Sequence, residues 1–211
     1  MTTTTKPTYE QVVKERRSIR VYDPEVKISK QEMHELLEEA TLAPSSLNLQ
    51  PWRFLVIESE EGKETLKGLA KFNQRQVETS AAVIAVFVDM QSVETTQEIY
   101  DLAVEKGVMP ADVRDRQVPA IQGMLKDIPK ERLKTMNFLD AGLAAMQIML
   151  SAQARGYATN PIGGFDKDHI AEAYGLDKER FEAVMLISIG KAAEVGYQSV
   201  RLPIDDLAKW V

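Results

Sequence analysis

The densest chemistry in the sequence is Arg16-Arg17-Ser18-Ile19-Arg20, three guanidinium groups and a hydroxyl within five residues. On an extended segment, alternation sends Arg16, Ser18 and Arg20 to one side, where together they can grip a phosphate and a neighbouring polar ring. Arginine suits that work because its planar fork bonds phosphate oxygens in pairs and never loses its charge. The competing reading puts the same arginines at a helix C-terminus, where cations complement the macrodipole and stay solvated.

Two further segments carry hydrogen-bonding groups where a backbone must turn. Pro44-Ser45-Ser46-Leu47-Asn48-Leu49-Gln50-Pro51-Trp52 is a loop with proline near both ends, able to present hydroxyls and amides to a ligand edge. It reads equally well as a tight connection whose polar groups satisfy its own backbone. Asn160-Pro161-Ile162-Gly163-Gly164-Phe165-Asp166 contains paired glycines, which let a backbone N–H come very close to a ligand. Its alternative is a turn leading into Asp166 as a helix cap.

Absences narrow the chemistry. There is no G-x-G-x-x-G, no G-x-x-x-x-G-K-[ST] and no G-x-S-x-G elbow. With no cysteine, disulfides, thiolate nucleophiles, zinc-thiolate sites and iron–sulfur ligation are excluded. The two histidines, His34 and His169, stand far apart, so no metal site is expected, and His34 reads as a surface residue rather than a general base. A bound cofactor is the natural carrier of any difficult reaction, and no catalytic side chain is assigned. The series Asp112, Arg114, Asp115, Arg116 reads as a solvated helix face with local ion pairs.

These groups need a scaffold, and 211 residues with 44% hydrophobic and 27% charged composition suffice for one domain. A formal charge of −6 argues against a broad nucleic-acid surface. The longest clean apolar run, Ala81 to Val88, is far short of the ~20 residues that span a bilayer, and the first residues lack the apolar core of a signal peptide. A cytoplasmic protein without nucleic-acid or membrane partners is expected.

The threonine run at residues 2–5 reads as a loose terminus, and Tyr9 to Arg16 as a short helix. Ser29-Lys30-Gln31-Glu32 has capping-box form, with Met33, Leu36, Leu37 and Ala40 at helical spacing before Pro44 stops the helix. Strands are predicted at Trp52–Ile57, Ala81–Val88, Tyr157–Ile162 and Val184–Ile189, the second buried on both faces. Helices are predicted from Glu61 to Phe72, Ser92 to Lys106, Ala111 to Lys126 and Lys130 to Arg155. The middle of the last is apolar nearly all round, so it should be buried on all sides. The pattern is α+β, with pairing direction open. Some twenty residues follow the last strand, carrying Tyr197, Val200, Leu202, Ile204, Leu207 and Trp210. Such a tail docks either on its own subunit or, as an exchanged arm, on a partner.

The arginine segment, the Ala-Pro-Ser-Ser-Leu-Asn-Leu-Gln-Pro-Trp loop, Phe72-Asn73-Gln74-Arg75, Asn-Pro-Ile-Gly-Gly-Phe-Asp and Ser-Val-Arg-Leu-Pro near the end occur in an order that resembles the FMN-dependent nitroreductase family, over nearly the whole chain. It is most similar to the short bacterial NAD(P)H nitroreductases. The resemblance implies one domain over residues 1–211, a mostly antiparallel sheet among helices, and an intertwined homodimer. Residues 191–211 would form an arm on the partner, with the long apolar helix in the dimer core.

By the same resemblance, Arg16, Ser18 and Arg201 would hold the FMN phosphate and ribityl chain, with Arg17 assisting, and Arg20 would lie by the N1/O2 edge of the isoalloxazine. Asn73 would meet the pyrimidine edge. Pro44, Ser45, Ser46, Asn48 and Gln50 would come from the other subunit. Pro161, Ile162, Gly163 and Gly164 would cover one face, the Gly163 N–H aimed at N5. A fixed cation at N1 and a donor at N5 suit a ring that becomes negatively charged on reduction. The implied activity is ping-pong transfer from NADH or NADPH to small flat acceptors such as nitroaromatics or quinones. Gln76, near the flavin, and Ser199, near the phosphate, stand where many members have lysine, and an acidic residue common before the second glycine is missing. The alternatives are a specialised branch, such as a flavin reductase, dehalogenase or enoate-type enzyme with residues 92–130 as its substrate lid, or a flavin-storage protein with little turnover.

Overall fold

The computed structural model describes residues 7–211, so the threonine run at residues 2–5 lies outside the described residues. Four strands, β1 (Trp52–Ile57), β2 (Ala82–Asp89), β3 (Ala158–Ile162) and β4 (Phe181–Gly190), form one sheet in the order β1-β2-β4-β3. Every pairing is antiparallel, which closes the question the sequence pattern leaves open. β2 is buried throughout because it is central and covered on both faces. Alternation divides its side chains: Ile84, Val86 and Val88 point into one apolar cluster, and Val83, Ala85 and Phe87 into another.

The first cluster is filled by α2 (Lys30–Ala40) and α7 (Lys130–Ala154), the second by α3 (Glu60–Leu69) and α8 (Ile170–Ala173). α2 starts where the sequence predicts, with Ser29 and Glu32 exchanging side-chain and backbone hydrogen bonds. It ends at Ala40, before Pro44, with the Thr41 hydroxyl donating to the Glu38 carbonyl. α7 ends in a Schellman motif, the Tyr157 N–H reaching the Ala152 carbonyl and the Gly156 N–H that of Gln153, with Gly156 at φ 80°. α5 (Thr96–Glu105) and α6 (Ala111–Lys126) pack beside the sheet around Tyr100, Val118, Ile121 and Leu125, which enclose Leu49. The Asp112–Arg116 face carries the expected local ion pairs, and Arg114 also bridges to Asp101 on α5.

Three expectations are revised. The predicted helix from Glu61 to Phe72 is α3, a 3₁₀ turn at Lys71–Asn73 and α4 (Gln74–Thr79), because the chain leaves helical geometry at Ala70. α7 is not buried on all sides within one chain: Leu139, Leu143 and Met146 form an exposed stripe at 69%, 49% and 40% of their full accessibility. Asp166 does not cap a helix directly; it accepts from the His169 N–H and ring in the turn before α8. The short helices α1 (Tyr9–Glu15) and α9 (Ile204–Leu207) complete the chain. Among the described residues no helix is long and apolar enough to cross a membrane, and no acidic or histidine cluster could hold a metal.

The ends of three strands are tied by one fully buried carboxylate. Asp89 closes β2 and receives a bidentate fork from Arg180, a bond from Arg53 Nη2 at 3.0 Å and the Gln91 N–H. Burial acts to raise the Asp89 carboxyl, but the Arg180 fork, the Gln91 N–H and the Arg53 charge outweigh it and hold it below the ordinary value. Asp89→Ala takes the shared carboxylate from two guanidinium groups and should lower the urea-unfolding free energy by about 3 kcal/mol. The sign with pH follows from the depressed folded value. The stabilisation is complete above the unfolded carboxyl range, about pH 4, and disappears as pH falls through the lower folded value. Wild type should therefore lose stability on acidification faster than the alanine variant, and parallel pH curves would count against this assignment.

Candidate functional site

The site begins where α1 stops. Arg16 caps that helix, and the chain then runs extended beside β3: Ser18 bridges to Thr159, and the Ile19 N–H donates to the Thr159 carbonyl at 3.1 Å. Ile19 and Tyr22 point inward and are buried. Farther on, Tyr22 bridges to Ala192, the Asp23 N–H reaches the Lys191 carbonyl, and the Ala193 N–H reaches that of Val21. Both readings of the arginine segment thus hold in part, the helix ending at Glu15 and the arginines following on an extended run.

This path brings the two ends of the chain together. Arg16, Arg17, Ser18 and Arg20 line a cavity of about 200 Å³ with Tyr197, Gln198, Ser199 and Arg201. Among the described residues no carboxylate lines it. Arg16 Nη1 is buried without a hydrogen-bond partner among the described residues. Burial first, then the charges of Arg17 and Arg201, pushes the Arg16 guanidinium below its ordinary value. A desolvated cation beside two like charges is a place for an anion. Arg17 Nη1 is taken by the carbonyls of Lys14 and Arg16, so its guanidinium steadies the turn. Arg20 lies over the Tyr197 ring, 5.8 Å from its centroid, while Glu194 accepts from the backbone N–H groups of Arg20 and Val21. Gly196 is required here, since a Cβ would sit 2.7 Å from Arg17 Cβ and 2.8 Å from Ile19 Cδ1.

On the neighbouring side, β3 delivers the glycine segment. Pro161 is exposed on an edge strand, where its missing N–H is tolerated, and Ile162 is buried. Gly163 and Gly164 are exposed, and a Cβ added to Gly163 would meet nothing within 4 Å. The 3₁₀ turn that breaks the predicted helix places Asn73 so that Nδ2 donates to the Gly164 carbonyl at 3.0 Å. Gln76 is buried and donates to Asn73 Oδ1, holding that side chain in place.

The third segment stands apart. Asn48 and Gln50 line a different cavity, about 440 Å³, with Arg53, Thr95, Glu98 and Lys106; a single chain does not bring them to the arginine cradle. Pro44 is exposed. The Ser45 hydroxyl accepts from the Gln50 N–H, and Ser46 gives both its N–H and its hydroxyl to Asp140 on α7. The internal hydrogen bonding considered for this loop is therefore present at both serines. Leu47, Asn48 and Gln50 all have positive φ, at 54°, 55° and 46°.

The family model described as "Nitroreductase family" matches residues 13–191. This chain belongs to the nitroreductase family. It is 60% identical over 200 residues to "Putative NAD(P)H nitroreductase YdgI" of Bacillus subtilis, covering 95% of this chain and 96% of that one. The crystal structure of a "putative nitroreductase in complex with FMN" from Exiguobacterium sibiricum superposes with a TM-score of 0.97 at 64% identity, covering all of both chains. The chain is also 33% identical over 187 residues to the CLA biosynthesis enone reductase of Lactiplantibacillus plantarum, covering 88% of this chain and 86% of that one. The nitroreductase fold expected from the motifs is the fold observed.

Sequence reasoning does not place Tyr197 or Gln198 in the cradle, and the only signal for them is their nearness to Arg201. Loss of a charge-assisted hydrogen bond is worth about 1.5–3 kcal/mol, so Arg16→Gln should weaken inorganic phosphate binding about tenfold or more by titration calorimetry. The ligand-free melting temperature should stay unchanged or rise, because like-charge repulsion is relieved. A lower melting temperature would instead give Arg16 a structural role.

Proposed function

We propose that this nitroreductase is an FMN-dependent NAD(P)H oxidoreductase that reduces small flat acceptors such as nitroaromatics or quinones. The observation that carries the reading is the buried Arg16 Nη1, without a partner among the described residues, set with Ser18 and Arg201 in an anion-sized cavity, while Ser18 pairs with Thr159 on the strand that leads to the open backbone of Gly163 and Gly164. An FMN phosphate satisfies that arginine, and a flat ring has room against glycines without side chains. The FMN complex of the Exiguobacterium sibiricum relative supports the same cofactor.

When bound, FMN would supply the redox chemistry, hydride transfer between NAD(P)H and the acceptor in a ping-pong cycle. The chain's residues bind and orient. Arg16, Ser18 and Arg201 hold the phosphate, with Arg17 and Ser199 completing the cradle. Arg20 supplies a fixed positive charge at the pyrimidine edge, where negative charge collects on reduction. Asn73, braced by Gln76, presents a polar edge to the ring, and the backbone from Pro161 through Ile162 to Gly164 closes one face. No side-chain acid or base is assigned.

The working unit of this proposal is a homodimer. The stripe of Leu139, Leu143 and Met146 and the arm residues Val195, Tyr197, Val200, Leu202, Ile204, Leu207 and Trp210 are all exposed in one chain, large apolar side chains of the kind that a contact face buries. A second copy covers them and brings Pro44, Ser45, Ser46, Asn48 and Gln50 to the cradle. An enone-type acceptor is a second reading, favoured by the 33% identity to the enone reductase. α5, which lines the cavity with Asn48 and Gln50, would then shape the acceptor's pocket.

Purified protein should be yellow, and anaerobic stopped-flow should show rapid bleaching by NADH or NADPH followed by reoxidation with nitrofurazone or menadione. A colourless protein that refuses added FMN would refute the reading. Arg20→Ala should slow flavin reduction about tenfold or more and weaken FMN binding by less; the opposite ranking would move Arg20 to the phosphate. Truncation before Tyr197 should abolish the dimer in gel filtration and release the flavin, whereas an intact yellow dimer would refute the exchanged arm.

A further inference from the structure

The loop between α2 and β1 is held in a conformation that its residues resist. Leu47 and Gln50 have no intrinsic preference for positive φ, yet both adopt it with Asn48 between them. Strain of this kind persists only where the surroundings over-determine it, and both ends of the turn are fixed by distant parts of the fold. At its far end Arg53 Nη1 donates to the carbonyls of Gln50 and Trp52, while Nη2 is tied to Asp89.

At its near end stands Asp140, only 4% exposed and 94 residues away in sequence. Its Oδ2 accepts the Ser46 N–H at 2.9 Å and its Oδ1 the Ser46 hydroxyl at 3.1 Å. No lysine or arginine pairs with it among the described residues, in contrast to Asp89. Burial pushes the Asp140 carboxyl above its ordinary value despite both bonds from Ser46. As a carboxylate it is thus a poor device for stability. What it does supply is direction: with both donors of Ser46 fixed, the peptide enters the left-handed run at one angle only.

We propose that Asp140 is a positioning residue, which acts through Ser46 to hold the strained turn so that Asn48 and Gln50 present their side chains to the flavin site. The proposal rests on the FMN reading above. It assigns the role to hydrogen-bond geometry rather than to charge, since an amide in the same place accepts the Ser46 N–H through its oxygen and donates to the Ser46 hydroxyl through its nitrogen.

The test compares Asp140→Asn, Asp140→Ala and Asp140→Leu with wild type as full-length apoprotein. FMN affinity is read by flavin fluorescence quenching, and protection of residues 44–52 by hydrogen exchange. D140A and D140L should lose about tenfold or more in FMN affinity and lose protection in that segment, with α2 and α7 still protected. D140N should stay within about threefold of wild type in both readouts. D140L fills the space without an acceptor and carries the test if the alanine variant does not fold. Wild-type affinity and protection in D140L would overturn the proposal. So would a D140N as impaired in FMN binding as D140L with its loop still protected, because charge would then be the operative property. A wild-type protein that takes up no FMN refutes the functional reading instead, which the variants do not decide.

Discussion

The arrangement of the site depends on one short stretch of backbone pairing. Ser18 and Ile19 lie along the outer edge of β3 at Thr159, and three residues later the same segment pairs with Lys191–Ala193 as the chain leaves β4. These are few hydrogen bonds, but they are anchored by Ile19 and Tyr22, whose buried side chains cannot leave without opening the core. Because the segment runs parallel to β3 and is fixed there and at the start of the arm, Arg16 lies toward the beginning of that strand and Arg20 toward the end that leads to the glycines. Arg201 reaches the cavity they line from the other terminus. A chain of net charge −6 thereby concentrates positive charge in one cavity.

That concentration has an energetic meaning. Burial first, and then the like charges of Arg17 and Arg201, hold the Arg16 guanidinium below its ordinary value. The fold tolerates the arrangement because Arg17 Nη1 donates to two backbone carbonyls, Arg20 stacks on Tyr197, and Glu194 engages the backbone of the segment. Of the cradle's arginines, Arg16 keeps a buried nitrogen without a partner among the described residues. The cradle is thus organised before any anion arrives, so little reorganisation opposes binding.

Periodicity and capping chemistry made much of the scaffold legible. The Ser29 capping box, the β1 run from Trp52 to Ile57, the doubly buried β2 and the Gly156 stop all appear where local residue chemistry puts them. Local rules failed where distant groups decide. Nothing around Ala70 announces the break that turns Asn73 toward Gly164, because the reward for that break is a carbonyl 91 residues away. Leu47 and Gln50 carry no signature of positive φ. The all-round apolarity of α7 was visible, but its division between the chain's own core and an open stripe depends on which neighbours one chain supplies. In the cradle, the arginines were legible by charge density, whereas Tyr197 and Gln198 enter through the path of the arm.

Two buried aspartates show how one chemical group serves two purposes in this fold. Asp89 sits among guanidinium groups and backbone donors that more than offset its desolvation, and its carboxyl is depressed; removing charge there unties β1, β2 and β4 together. Asp140 is nearly as buried, yet a single serine answers it, and its carboxyl is raised. The difference is not exposure but the charge of the partner. Both reach the loop from Ser46 to Trp52, Asp89 through Arg53 at one end and Asp140 directly at the other. One end is therefore tied to the paired carboxylate that closes β2 and the other to a buried carboxyl with no lysine or arginine partner among the described residues. A turn held this way stays strained without making its strain a requirement of folding, which fits a segment shaped for what it presents rather than for what it packs against.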